Sequence, residues 1–170
     1  DFTINAMAYN PRDGIVDLFG GMDDLRNGLI RCVGNAYDRF EEDALRILRA
    51  IRFSAQLGFR IEKQTEEAIK EKAVLLKNIS AERIRMELTK LLVSDNPDRL
   101  ELLYKLGISA VIIPEFDRMM ETRQNNVNHI YTVGGHTIKT VGAVAGKTGE
   151  NRFSPKERCI LRWTMFLHDI

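Results

Sequence analysis

The stretch Glu42-Asp43-Ala44-Leu45-Arg46-Ile47-Leu48-Arg49-Ala50-Ile51-Arg52-Phe53 decides the fold. At about 100° per residue, Ala44, Ile47, Leu48, Ile51 and Ala55 share an apolar arc, while Asp43, Arg46, Arg49 and Arg52 fall on the opposite half of the wheel. That periodicity makes the segment an amphipathic helix on which Asp43 and Arg46 are neighbours at i,i+3. A solvated face with ordinary ion pairs is the plain reading of such a helix. A carboxylate and three guanidiniums on one side are also what a ligand face requires.

Outward from this segment the pattern stays helical from about residue 39 to 120, with separate helices expected at 41–57, 65–76, 80–93 and 97–106. Thr65 and Ser80 suit N-caps, Pro97 an N1 proline, and Gly58 and Gly107 the positions just past helix ends. Before it, β-like runs at 6–9, 14–18 and 29–33 alternate with Asn-Pro and Gly-Gly turns, which suggests the tail of a sheet with little support of its own. After Pro114 come a loop at Gln124-Asn125-Asn126-Val127-Asn128, a helix over 132–144 and a Gly/Lys-rich break at 146–151. Ser154-Pro155-Lys156-Glu157 is a capping box opening a last helix to Ile170. The expected fold class is mainly α with a short α+β part at the N-terminus, divided at 1–35, 36–120 and 121–170.

Composition narrows the function classes. The 170 residues are 44% hydrophobic, enough for a sizeable core, and 25 Lys+Arg against 24 Asp+Glu leave a net charge of only +1. No global basic excess announces nucleic acid, so any RNA grip is local. Candidate patches are Arg46, Arg49, Arg52 and Arg60, then Lys77, Arg83, Arg85 and Lys90, although charges on helices more often form a solvated face. Aromatic residues do not alternate with these charges, which argues against a base-stacking platform. Cys32 and Cys159 are far apart without metal-type spacing and fit a reducing cytosol. No apolar run of membrane length, signal peptide or repeat is present, so the expectation is a soluble cytoplasmic chain. Nothing indicates an oligomeric state.

Upstream of the charged helix stand Asp1-Phe2-Thr3-Ile4-Asn5-Ala6-Met7, then Val16-Asp17-Leu18-Phe19-Gly20-Gly21, Asp24-Leu25 and Leu29-Ile30-Arg31, in that order and close spacing. Together with Glu42-Asp43-Ala44-Leu45-Arg46, these resemble the motifs of the class II tRNA nucleotidyltransferases, the CCA-adding enzymes and bacterial poly(A) polymerases, from Asp1 to about Pro114. The resemblance implies a helical neck and body carrying a remnant of the nucleotidyltransferase head. Asp1 matches the last position of the family's Arg-Arg-Asp motif. The Gly-Gly-x-Val-Arg-Asp loop and the Asp-x-Asp pair that hold catalytic magnesium have no counterpart in these residues. The chain is therefore expected to be a fragment without catalytic residues, inactive by itself.

By the same resemblance, Asp43 and Arg46 read the incoming base. Cytosine and adenine present an exocyclic amino donor beside a ring-nitrogen acceptor, whereas uracil and guanine present a keto acceptor beside an N–H donor. One carboxylate plus one guanidinium matches the first pair and opposes the second, and the protein replaces a template. Arg49 and Arg52 match further nucleotide-contacting positions, and Asp1 the carboxylate that meets the ribose 2′-OH. As a chain terminus Asp1 is also a candidate for disorder. Glu42 is read as a first-turn residue favouring the helix N-terminus. The Gly20-Gly21 block is a turn by itself and a head-to-neck hinge by resemblance. The stretch Ile79-Ser80-Ala81-Glu82-Arg83-Ile84-Arg85-Met86-Glu87-Leu88 resembles the last family motif, a helix supporting the nucleotide helix, and its plain reading is a capped helix packing through Ile84, Leu88, Leu91 and Leu92. Implied partners are tRNA, CTP and ATP, with CCA, CC-only, A-only and poly(A) addition left open.

A second constellation closes the chain. His136 and the doublet His168-Asp169 resemble the start of an HD domain, in which they would ligate a divalent metal with a fourth ligand beyond Ile170. From spacing alone the doublet is an exposed helix end. His129 is taken as structural. These residues support an alternative function, a metal-dependent phosphohydrolase or phosphodiesterase.

Overall fold

The computed structural model describes residues 1–123, 131–144 and 153–170. A 3-10 turn at Thr3–Asn5 leads into the antiparallel hairpin β1 (Met7–Asn10) and β2 (Gly14–Asp17), then α1 (Gly21–Asn27), β3 (Leu29–Ile30), α2 (Ala36–Glu42), α3 (Leu45–Leu57) and β4 (Arg60–Ile61). Helix α4 (Lys63–Lys72) continues as a 3-10 stretch over Ala73–Asn78, and α5 (Ala81–Leu92) follows. A 3-10 turn at Pro97–Leu100 opens α6 (Glu101–Lys105), succeeded by α7 (Ser109–Ile112), α8 (Pro114–Glu121), α9 (Val133–Ala143) and α10 (Pro155–Leu167). The mainly α expectation holds. The loop at 124–128, the break at 146–151 and His129 lie outside the described residues.

Helix α3 is the centre of the core. Its expected apolar arc, Ala44 to Ala55, is buried throughout, but so are Leu45, Ala50, Ser54 and Arg52, because α5 packs on the flank that an isolated wheel assigns to solvent. The segment is not one helix. Asp43 takes an extended backbone (φ −152°, ψ 102°) between α2 and α3, and its Oδ1 accepts the Leu45 N–H at 3.1 Å. An aspartate that can satisfy a helix N-terminus with its own side chain favours a break over a helix interior. The upstream helix begins at Asn35, whose Oδ1 accepts the Tyr37 N–H at 2.9 Å. Glu42 accordingly ends α2 and does not sit in a first turn.

The N-terminal part is tied to the helical body by main-chain bonds. β3 pairs in parallel with β4, Leu29 opposite Arg60 and Ile30 opposite Ile61. Thr3 N–H donates to Arg31 O and Val33 N–H to Asp1 O. Phe2, fully buried, meets the Phe53 ring edge-on at 5.8 Å. The β1–β2 hairpin lacks such cover and exposes Tyr9, Ile15, Leu18 and Phe19. Gly20 (φ +74°) and Gly21 form the turn into α1, where a Cβ on Gly21 would lie 2.3 Å from Thr3 O. Asp17 accepts the Gly21 and Met22 N–H groups, both at 2.8 Å, and these bonds hold its carboxyl below the usual carboxylate range.

Ser80 and Ser154 cap α5 and α10 as expected, the latter as a full capping box with Glu157. Thr65 does not cap α4. Glu62 does, its side chain accepting the Thr65 N–H and O–H, and the buried Thr65 Oγ1 accepts the Cys32 N–H, which fastens α4 to the strand layer.

Candidate functional site

Asp1 is ordered by charge. Its Oδ1 accepts Arg46 Nε at 3.0 Å and its Oδ2 lies 2.5 Å from Arg49 Nη2, so the terminal residue is a bridge between two turns of α3 and not a disordered end. Burial, with Arg46 and Arg49 close by, pulls its α-amino group below the usual range. Arg46 Nη1 donates to Glu42 Oε2 at 2.6 Å and to Arg39 O at 2.8 Å, and the hydrogen bond from Arg46 holds the Glu42 carboxyl below the usual carboxylate range. Asp43 Oδ2 accepts Arg83 Nη2 at 3.0 Å. It lines a cleft of about 380 Å³ with Glu41, Glu42, Ala44, Asn78 and Arg83.

Asp1, Asp43, Arg46 and Arg49 therefore surround the α2–α3 break, whereas Arg52 turns inward. Its side chain is 8% exposed, its Nη1 donates to both Glu87 oxygens at 3.1 and 2.8 Å, and its guanidinium sits 4.1 Å from the Phe53 ring centroid. Burial lowers the Arg52 pKa, and the Glu87 charge opposes that. Its expected place on the solvated half of the wheel is corrected by Glu87, which supplies a buried countercharge from α5.

At the other end of the molecule α9 supplies His136, and the residues just past α10 supply His168 and Asp169. One ligand atom from each lies within 4.8 Å of the others. His168 Nδ1 is 2.8 Å from Met165 O, an arrangement that puts the ring proton on Nδ1 and turns Nε2 toward Asp169 Oδ2 at 3.1 Å. Nε2 and the Asp169 carboxylate thus lie side by side, with His136 within reach of the same ion. Two nitrogens and an oxygen suit a borderline divalent ion, and the backbone carbonyl behind Nδ1 is the usual orienting partner of a ligating histidine. The doublet is an exposed helix end, as spacing alone suggests, and His136 of the neighbouring helix lies beside it.

Two family models match the sequence: "Poly A polymerase head domain" over residues 1–31 and "Probable RNA and SrmB-binding site of polymerase A" over residues 58–120. The CCA-adding enzyme of Lactiplantibacillus plantarum is 53% identical over 97 residues, and that of Enterococcus faecalis 52% over 96. Over these stretches the chain is similar to the class II CCA-adding enzymes. The match covers 57% of this chain and 24% of the Lactiplantibacillus enzyme, and 56% and 24% for the Enterococcus one, so the chain spans about a quarter of the length of these relatives. Among solved family structures, the Bacillus stearothermophilus CCA-adding enzyme in complex with CTP aligns at 46% identity and a TM-score of 0.65, covering 66% of this chain and 29% of that one. The Thermotoga maritima CCA-adding enzyme complexed with tRNA aligns at 31% identity and 0.69, covering 98% and 39%.

The sequence reading missed the roles of Arg83 and Glu87. They stand at i,i+4 on α5, so both reach the same side, one to Asp43 and one to Arg52. The signal was available in the stretch 79–88, where two charges of opposite sign share a face with Ile84 and Leu88. The plain packing reading of that stretch is also correct, since Leu88, Leu91 and Leu92 are buried and Ile84 packs against the core.

Proposed function

We propose that the chain is the base-reading and RNA-gripping part of a tRNA nucleotidyltransferase, which adds nucleotides from CTP and ATP to the tRNA 3′ end. In this reading residues 1–35 belong to the head, 36–120 to the neck and body, and 121–170 to the start of an HD domain. The observation that carries it is the grouping of Asp1, Asp43, Arg46 and Arg49 at the α2–α3 break, where Asp1 bridges Arg46 and Arg49 and Asp43 accepts the Leu45 N–H at the start of α3. Asp43 accepts from the amino group of cytosine or adenine, and Arg46 donates to the adjacent ring nitrogen. A wrong base leaves both protein groups unpaired, at roughly 1–3 kcal/mol for each. Arg49 stands one turn on, toward the phosphates, and Asp1 toward the sugar. Arg52 serves from within by holding α3 on α5.

Among the described residues the one group of three or more His, Cys, Asp or Glu placed to hold a metal is His136, His168 and Asp169, and it lies on α9 and beyond α10, not at the α2–α3 break. The catalytic magnesium belongs with carboxylates outside these residues, so the chain alone binds nucleotide without transferring it. The histidine cluster is proposed to hold a divalent ion. Free Cys32 and Cys159, and the lack among the described residues of a helix long and apolar enough to cross a membrane, agree with a cytoplasmic enzyme.

The test is exchange of the reading pair in the enzyme that carries this chain. Asp43→Arg with Arg46→Asp is expected to shift incorporation on tRNA lacking its terminal nucleotides away from CTP and ATP toward UTP and GTP. Unchanged nucleotide choice, or transfer by the purified 170-residue chain, refutes the reading.

A further inference from the structure

Asp43 and Arg46 carry opposite charges at i,i+3, a spacing at which they would ordinarily pair and cancel each other's donor–acceptor pattern. Among the described residues their ion pairs run elsewhere. Arg46 is engaged by Asp1 and Glu42, and Asp43 by Arg83. Asp43 is held at two points, Oδ1 by the Leu45 N–H at the start of α3 and Oδ2 by a guanidinium from α5, which together fix the plane of the carboxylate. Each oxygen still has a lone pair for a base amino group.

We propose that Arg83 is a specificity-determining positioning residue, whose ion pair with Asp43 keeps the acceptor half of the reading pair apart from Arg46 and aimed at the base. This deepens the assignment of Asp43 and Arg46 as base readers and rests on it. Without Arg83, the carboxylate is free to turn to Arg46, three residues on, and the site then offers neither a free acceptor nor a free donor. Cytosine and adenine lose their advantage, and uracil and guanine lose the penalty of facing a fixed carboxylate. The contact runs through one nitrogen, Nη2 at 3.0 Å, so an ammonium can replace it. The pair is part-exposed, 46% on Arg83 and 34% on Asp43, and the Ser80 cap engages the Arg83 main chain and not its side chain. Removing the side chain leaves α5 intact.

The experiment is calorimetric titration of the 170-residue chain with CTP, ATP, UTP and GTP separately, for wild type, Arg83→Ala, Arg83→Gln and Arg83→Lys, with thermal melts of each. Wild type is expected to prefer CTP and ATP. Arg83→Ala and Arg83→Gln are expected to shrink that preference by about fivefold, the upper end for a part-exposed pair, with melting unchanged and Arg83→Lys restoring most of it. A wild-type preference that survives both neutral variants, or that Arg83→Lys fails to restore, overturns the role of Arg83 while leaving the reading pair standing. A wild-type chain that binds all four nucleotides alike, or none, removes the reading pair and this inference with it.

Discussion

Arg52 and Glu87 form a buried ion pair whose two halves are unequally insured. Glu87 has a second partner, since Lys90 Nζ lies 3.3 Å from its Oε1, whereas among the described residues the Arg52 guanidinium has Glu87 and the Phe53 ring, and its buried Nε has no partner there. Leaving a charge buried and unpaired costs about 3–5 kcal/mol, while replacing both charges with apolar groups is far milder. Glu87→Leu is therefore expected to destabilise the chain by about 3 kcal/mol, Arg52→Met by less, and the double variant by less than Glu87→Leu alone. Urea denaturation measures all three. Equal single-variant costs, or additive costs in the double variant, contradict this account. At this scale the sequence singled out Asp43 and Arg46, and the structure sets both at the α2–α3 break. It misplaced Arg52, because helical periodicity reports the angle of a side chain and not the helix waiting on that side.

At the scale of elements, capping chemistry was the most legible signal where the cap lies next in sequence to a long apolar run, as at Ser80 and Ser154. It failed where the capping group also had tertiary work. Thr65 is drawn into the interior by Cys32, and the break at Asp43 depends on Leu45 and Arg83 as well as on local preference. The pairing of α9 with the end of α10 makes its own prediction. His136, His168 and Asp169 are expected to bind one Mn²⁺ per chain in calorimetry or by electron paramagnetic resonance. His168→Ala is expected to abolish uptake and Asp169→Asn to weaken it. Equal uptake by wild type and His168→Ala would show that the doublet pairs only with itself.

For the whole molecule the joint that matters is Arg162. The residue is 3% exposed, and its guanidinium has no carboxylate partner among the described ion pairs and donates instead to Leu92 O at 2.5 Å, Ser94 O at 2.6 Å and Val144 O at 3.2 Å. It thus closes the carbonyl end of α5 and ties α9 and α10 to the body, with Trp163 Nε1 adding a bond to Thr89 Oγ1. Burial lowers its pKa, yet an arginine stays charged, so these carbonyl dipoles are its compensation. Arg162→Ala is expected to weaken the attachment by about 3 kcal/mol, the range of one or two hydrogen bonds to a charged group. Hydrogen exchange should quicken about 100-fold over 155–167 while 45–57 keeps its protection. Uniform quickening would mean that α10 is integral to the folding of α3. The sequence by itself determined what is local or repeated: the helical class, the apolar arc of α3, the caps at Ser80 and Ser154, and the placing of Asp43 three residues before Arg46. Only the tertiary structure decided which charges face outward, because countercharges 35 to 45 residues away, Glu87 for Arg52, Arg83 for Asp43 and Asp1 for Arg46, are brought in by packing and leave no period in the sequence.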